Sequence, residues 1–285
     1  MTAQTLDGEA VAAQIKAELA HRVELLIDRG LTPGLGTVLV GDDGPSANYV
    51  AMKHRDCAEL GFLSRHEHLP ADAGQEEVLR VVADFNADPS IDAFLLQYPF
   101  PKHLDYEGAL LTADPDKDVD GIHPVNLGKL VQGVDAPRSC TPAGIVALLR
   151  HYDIPIAGQH VVIVGRGLTI GRPLANLLTL KKPDANAAVT VVHTGVADLG
   201  TYTKQADILV AAAGSPGLIT ADMVKEGAVV VAAGVSFEGK KIVSDVADEV
   251  AEVASWLSPR IGGVGPMTRA MLLSNAVDAA ERHAG

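Results

Sequence analysis

Apolar positions recur every four residues near the start of the chain, at Val11, Ile15, Leu19, Val23 and Ile27, behind Asp7 as a candidate cap and ahead of Gly30. That spacing predicts one long amphipathic helix with a single inward face. Strands covered on both faces follow another logic, since they have no polar side to show and read as short, mostly apolar runs. Residues 35–40 and 93–97 have that form, with a third strand near 64–69, and between them lie helices entered at Gly44 and Pro45 and at Gln75. Strand, helix and strand in turn predict parallel βαβ units.

The alternation pauses over residues 114–142, rich in Pro, Asp and Gly, which read as an ordered functional loop leading into a connector. It then restarts with a helix to His151, a strand at 161–164, a helix at 170–178, and strands at 189–193, 208–212 and 228–232. This half predicts a doubly wound Rossmann-type parallel sheet. A second unusual loop, 259–268, precedes a last helix carrying Met271, Leu272, Ala276, Val277 and Ala280. The expected fold class is therefore α/β with two domains, divided near Thr141: residues 1–140, completed by a returning helix at 267–285, and residues 141–266.

Composition narrows the function classes. With 285 residues, 47% of them hydrophobic and 21% charged, the chain has the make-up of a globular protein with room for two cores. Its net charge of −13 repels polyanions, so nucleic acid and anionic membrane surfaces are poor partners and any anionic ligand must be held locally. Cys57 and Cys140 are too few for a disulfide framework, which favours a reducing compartment. No apolar run approaches the roughly 20 residues of a membrane span, and the first thirty residues do not read as a signal peptide; the expected location is the cytoplasm.

The run VVIVGRGLTIG sets Gly165, Gly167 and Gly171 straight after β-formers and at the opening of a helix. Backbone amides at such a helix start can meet a pyrophosphate, and the strand–turn–helix context favours a dinucleotide over a bare tight turn. An NAD site usually ends the next strand in a carboxylate that grips the ribose hydroxyls, whereas here that strand ends in His193 and Thr194. Arg166 in the glycine turn can reach a 2′-phosphate and Thr194 adds a hydroxyl, so the chemistry points to NADP. Residues 211–214 are small and leave room for a planar nicotinamide at a strand end.

In the first domain Ser46, Tyr49 and Lys53 stand at i, i+3 and i+7, which stacks them on one helical face. Lysine and tyrosine on a shared face can move a proton, provided Lys53 is largely withdrawn from water; a solvated lysine beside a core-edge tyrosine is the other reading. The same pair spells the YxxxK of short-chain dehydrogenases, but there the glycine motif comes first and here it follows by more than a hundred residues. Gln97 ends a predicted strand, where α/β sheets present ligand-binding groups, and Pro99 and Pro101 stiffen the exit. Asp116, Asp118 and Asp120 alternate in DKDVDG, yet the spacing lacks the later bidentate Glu of a calcium loop, so no metal is expected.

Taken in order, SxxYxxxK, QxPxP, DVDGxHPxNxG at 118–128, CTPxG at 140–144, VVIVGRG and GGVGPMT at 262–268 resemble the methylenetetrahydrofolate dehydrogenase/cyclohydrolase family over nearly the whole chain. The resemblance implies two α/β domains flanking a cleft that holds folate, a homodimer formed through the NADP domains, and a last helix packed on the first domain. It implies NADP-dependent oxidation of 5,10-methylene-tetrahydrofolate and hydrolysis of the methenyl product to 10-formyl-tetrahydrofolate at one site. It makes Lys53 the key group for hydrolysis, Gln97 its hydrogen-bond partner and Tyr49 a positioner of the folate ring. Asp120 becomes the pterin-binding carboxylate, whose acceptors suit a ring rich in N–H donors. Ser46, Gly262, Gly263, Gly265 and Pro266 line the folate pocket, and Thr141, Gly165, Arg166, Gly167, Thr194 and Val235 form the cofactor set.

The chain departs from the family pattern at Tyr98 and Phe100, where small aliphatics are usual, and at Ala232, Ser244, Arg260 and Ile261; Gly167 stands where many relatives have Ser. None of these removes a proposed catalytic group. A non-catalytic NADP sensor would tolerate loss of Lys53 or Gln97, and both are present. A dehydrogenase without the hydrolytic step fits the same letters, because the two steps share a pocket.

Overall fold

The computed structural model describes residues 2–239 and 241–284. In chain order the first half comprises β1 (Gln4–Thr5), α1 (Gly8–Asp28), β2 (Gly34–Val40), α2 (Gly44–Leu60), β3 (Leu63–Leu69), α3 (Gln75–Ala87), β4 (Ala93–Leu96), α4 (Tyr106–Thr112) and α5 (Pro124–Gln132). The second half comprises α6 (Cys140–His151), β5 (His160–Val164), α7 (Gly171–Leu178), β6 (Ala188–Val192), α8 (Gly200–Thr203), β7 (Ile208–Ala211), β8 (Val229–Ala232), β9 (Val235–Glu238), β10 (Lys241–Ser244), β11 (Trp256–Leu257) and α9 (Val264–His283). The chain divides into two units: one holds residues up to Ala13, Leu130–Gly133 and Ser139–Thr268, the other Gln14–Lys129, Val134–Arg138 and residues from Arg269 onward.

The second unit is built on a parallel sheet of order β3-β2-β4. β2 lies at its centre with every residue buried, which explains its apolar run. Leu35, Val38 and Leu39 are each at most 1% exposed, and burying such side chains stabilises by about 1.5–3 kcal/mol apiece. Gly36 interrupts the run because a Cβ there would press on the Phe85 ring and on Phe94, whose rings pack 5.4 Å apart. The last helix also belongs here from Arg269 on: Arg22 of α1 grips Asp278 and Glu281 at 2.6 Å, and the Asn275 amide donates to Val119 O and Arg138 O.

The other unit carries a six-stranded parallel sheet of order β1-β11-β8-β7-β5-β6, together with the antiparallel pair β9 and β10. β5 is flanked by β6 on one side and β7 on the other, the reversal that defines the ligand-binding end of a doubly wound sheet.

Three expectations change. Ile27 is 42% exposed and Leu26, at 2%, takes its place, because a strict four-residue repeat drifts about 40° per step around a helix of 3.6 residues per turn. The stretch 114–142 is not one loop: it contains α5 and the start of α6. The loop 259–268 ends early, since α9 begins at Val264 and Pro266 sits in its first turn, where a missing N–H costs no helical bond. The expected helix 267–285 runs to His283, and residue 285 lies outside the described residues.

Candidate active site

Helix α2 starts where Asp43 accepts the Ser46 amide at 3.0 Å and Pro45 occupies the first turn, and it ends on Gly61 at φ 80°. Between those stops the periodicity turns Ser46, Val50, Lys53 and Cys57 inward. Lys53 is only 4% exposed, so the solvated reading of this lysine does not hold. Its Nζ donates to Gln97 Oε1 at 3.2 Å and lies 5.1 Å from the centre of the Tyr49 ring, an arrangement that places the ammonium against π-electron density. Gln97 follows directly on β4; its backbone N–H donates to Val38 O at 2.8 Å and its Nε2 to Tyr98 O at 2.9 Å. With the amide nitrogen committed there, the oxygen is the end that faces Lys53. Helix face and strand end thus bring together Lys53, Gln97 and Tyr49.

Ser46 is buried, and its hydroxyl donates to Asp43 Oδ2 at 2.6 Å, which with the amide holds the Asp43 carboxyl below its ordinary range. The three alternating aspartates separate by environment. Asp116 is exposed. Asp118 is buried and accepts from the amides of Gly121 and His123 and from Asn126 Nδ2 at 2.9 Å; burial raises its pKa against those bonds, with Asp120 adding to the rise. Asp120 is half-buried beside a small hollow that it shares with Phe94, Leu96, Tyr106, Asp118 and Ile122. Tyr98 is 63% exposed and meets Tyr106 edge-on at 5.2 Å, while Phe100 packs on the same ring at 5.0 Å. The two aromatic departures therefore form a cluster with Tyr106 at the exit of β4.

The remaining expected residues belong to the other unit. A Cβ at Gly165, where φ is 130°, would collide with the Ala212 carbonyl oxygen, and one at Gly171 with the Gly165 carbonyl oxygen. Only glycine lets the turn fold this tightly between β5 and α7. Gly167 has open space where a side chain would stand, and Arg166 to Thr169 are exposed. Beyond β6, His193 is half-buried and accepts the Gly195 amide on Nδ1 at 3.0 Å, Thr194 is exposed, and no carboxylate ends the strand. A glycine turn at a helix start, an arginine in it and a strand end without negative charge fit a 2′-phosphorylated dinucleotide. Val235 is 44% exposed, and Thr141 Oγ1 lies 3.0 Å from Thr268 Oγ1. The Gly262 carbonyl accepts the Glu9 amide at 2.9 Å; Gly263 has no room for a Cβ beside Pro259 O, and Gly265 and Pro266 form the first turn of α9.

Several interacting groups carried no signal in the sequence. Asp56, one turn beyond Lys53, joins Lys16 Nζ and Arg269 Nε at 2.8 Å each. Thr37 Oγ1 lies between His54 Nε2 at 2.8 Å and His66 Nδ1 at 2.9 Å; burial, then the charges of His66 and Lys53, lower the His54 pKa. Asp245, fully buried, accepts three successive backbone amides after β7. These partners are far apart in sequence, so no local pattern announces the pairings. Among the described residues no cluster of His, Cys, Asp or Glu is placed to hold a metal, and no helix is long and apolar enough to cross a membrane.

Comparison with known proteins gives these sites a context. Residues 6–120 match the catalytic domain of tetrahydrofolate dehydrogenase/cyclohydrolase, and residues 139–284 match its NAD(P)-binding domain. The chain is 56% identical to the bifunctional protein FolD of Syntrophotalea carbinolica, over 100% of this chain and 98% of that one. Among solved structures it is similar to the bifunctional FolD enzyme, a methylenetetrahydrofolate dehydrogenase/cyclohydrolase, from Campylobacter jejuni: TM-score 0.94, 41% identity, 98% of this chain and 99% of that one. The N5,N10-methylenetetrahydrofolate dehydrogenase-cyclohydrolase of Trypanosoma brucei, solved with NADP cofactor and inhibitor, gives a TM-score of 0.93 at 36% identity, over 99% and 98% of the two chains.

Proposed function

The chain belongs to the tetrahydrofolate dehydrogenase/cyclohydrolase family, and from that premise we propose that it oxidises 5,10-methylene-tetrahydrofolate with NADP⁺ and hydrolyses the methenyl product to 10-formyl-tetrahydrofolate. The observation that carries this reading is the buried Lys53 amine held 3.2 Å from Gln97 at a sheet end. Bound NADP⁺ supplies the acceptor for the hydride of the first step. In the second, a water oxygen bonds to the methenyl carbon, one ring C–N bond breaks, the freed nitrogen takes one of the water's protons and the other is released. Lys53 serves that step by activating the water or polarising the reacting amidinium centre, and Gln97 holds its amine in place.

Tyr49 positions the folate ring, and Asp120 accepts hydrogen bonds from the pterin, a role its half-buried place beside Asp118 suits. Ser46 also contributes to folate binding, and a folate-binding role is proposed for Gly262, Gly263, Gly265 and Pro266. NADP is held by Gly165, Arg166, Gly167 and Thr194, with Thr141 and Val235 completing the set. The catalytic domain is assigned to residues 1–140 with the last helix and the NADP-binding domain to residues 141–266, except that the chain up to Ala13, with β1 paired to β11, groups with the latter. We further propose a cytoplasmic homodimer joined through the NADP-binding domains; β6 is the edge of its sheet and Val191 on it is 40% exposed, which leaves a strand edge to be covered.

The test follows 5,10-methylene-tetrahydrofolate in the presence of NADP⁺ and, separately, NAD⁺, and then follows methenyl decay with and without protein. Methenyl formation faster with NADP⁺ and decay above the spontaneous rate are expected. No methenyl formation with either cofactor would overturn the oxidative assignment, and decay at the spontaneous rate the hydrolytic one. Sedimentation of the purified protein as a monomer would overturn the dimer.

A further inference from the structure

The loop that leaves β7 is shaped by one buried side chain thirty residues further on. Asp245 is 0% exposed; its Oδ2 accepts the amides of Ala213 at 2.6 Å and Gly214 at 2.9 Å, and its Oδ1 accepts Ser215 at 2.7 Å. Three consecutive N–H groups converging on one carboxylate form a nest, the geometry that backbone uses to bind an anion. Here the protein supplies the anion itself. The carboxylate is in turn fixed from behind: the Asp245 amide donates to Gly234 O at 3.1 Å, Asp245 O accepts from Ile219 at 2.9 Å, and Gly234 must lack a side chain because a Cβ would collide with Oδ2. Gly214 at φ 65° makes the bend that turns the amides inward.

The position of this loop gives the nest a function. β7 adjoins β5 on the side away from β6, so the loop lies at the switch point of the sheet, directly against the glycine turn: Gly165 is pressed on Ala212 and would meet Ala213 N within 3.2 Å of an added Cβ. In a doubly wound sheet the adenosine half lies over the β5–β6 side and the second mononucleotide over the β7–β8 side. We propose that Asp245 is a positioning residue for the nicotinamide half of the cofactor, holding residues 213–215 in the shape that the ring and its ribose require while taking no part in binding the adenosine half. The inference rests on the NADP site assigned above.

The experiment compares two ligands, NADP⁺ and adenosine 2′,5′-bisphosphate, which carries the adenosine half and the 2′-phosphate but no nicotinamide. Asp245→Asn keeps the shape and replaces one acceptor oxygen by a donor that opposes the amides. Titration calorimetry is expected to show NADP⁺ weakened by about tenfold or more, the scale of a lost charge-assisted contact, and the bisphosphate changed by less than about twofold. Equal weakening of both ligands, or undiminished NADP⁺ binding, would overturn the proposal. Failure of the unaltered protein to bind NADP⁺ at all would instead overturn the cofactor assignment. Should the variant not fold, amide hydrogen exchange on the unaltered protein decides: NADP⁺ is expected to slow exchange at residues 213–215 while the bisphosphate leaves it unchanged, and identical protection by the two ligands would refute the role.

Discussion

Replacing Lys53 with Met separates folding, oxidation and hydrolysis in one variant. Met nearly matches lysine in length and removes the amine. The fold is expected to tolerate the change: among the described residues the buried Lys53 amine makes one side-chain hydrogen bond, to Gln97, and Gln97 is half-buried, so water can take over its oxygen. Exchanging a buried cation for an apolar side chain of similar volume is often neutral or stabilising, so loss beyond about 1 kcal/mol is not expected. Hydride transfer to a nicotinamide needs no proton acceptor, and positioning by Tyr49 and the pterin contacts sustains it. Water addition releases a proton, and a positioned acid–base or polarising group contributes about 10²- to 10⁴-fold to such a step. The variant is therefore expected to lose the cyclohydrolase rate by at least about a hundredfold, or about 2.7 kcal/mol in barrier height, and to keep measurable dehydrogenase activity. Stopped-flow absorbance of methenyl-tetrahydrofolate, corrected for spontaneous decay, together with a urea unfolding curve, reads all three quantities. Hydrolysis undiminished in a folded Lys53→Met protein would refute the catalytic role.

Other substitutions test the remaining assignments. Arg166→Ala is expected to weaken NADP⁺ by about tenfold, the worth of a charge-assisted contact, while leaving NAD⁺ nearly unchanged; isothermal titration with both cofactors checks it, and equal losses would show that Arg166 does not read the phosphate. Asp120→Ala is expected to raise the folate dissociation constant without moving the melting temperature or NADP⁺ affinity, and an unchanged folate constant would remove this carboxylate from the pterin site. Asp56→Ala leaves Lys16 and Arg269 without their shared partner; because those cations are 23% and 19% exposed, a loss of about 2–4 kcal/mol is expected in urea unfolding, below the cost at a fully buried pair.

The architecture was legible wherever pattern and partner lie close in the chain. The runs at β2 and β5 and the helix at Gln75–Ala87 announce themselves because burial on two faces, or on one stripe, writes directly into composition. The two-residue strands β1 and β11 do not, since they exist only by pairing with each other and with β8 across much of the chain. Within the site, the helical spacing of Tyr49 and Lys53 was readable, and so was Gln97 at a strand end. The burial of Lys53 was not, because lysine is ordinarily solvated and nothing local says otherwise. Asp245 follows Ser244, a departure from the family pattern, but nothing local assigns it a role; its importance comes from three amides that the sheet brings to it.

The bridge from Asp56 to Lys16 and Arg269 has a consequence for how this protein can change over generations. Asp56 stands three residues after Lys53 on α2, so the anchor and the amine are phased on the same helix. Adding or removing one residue between them would rotate one against the other by about 100° and shift it about 1.5 Å along the axis. With Asp56 clamped from α1 and α9, the whole displacement would fall on Lys53 and carry its amine away from Gln97. Replacements at the exposed Ala51, Arg55, Ala58 and Glu59 leave that phase intact. Sequence drift in this helix is therefore open to letters and closed to length.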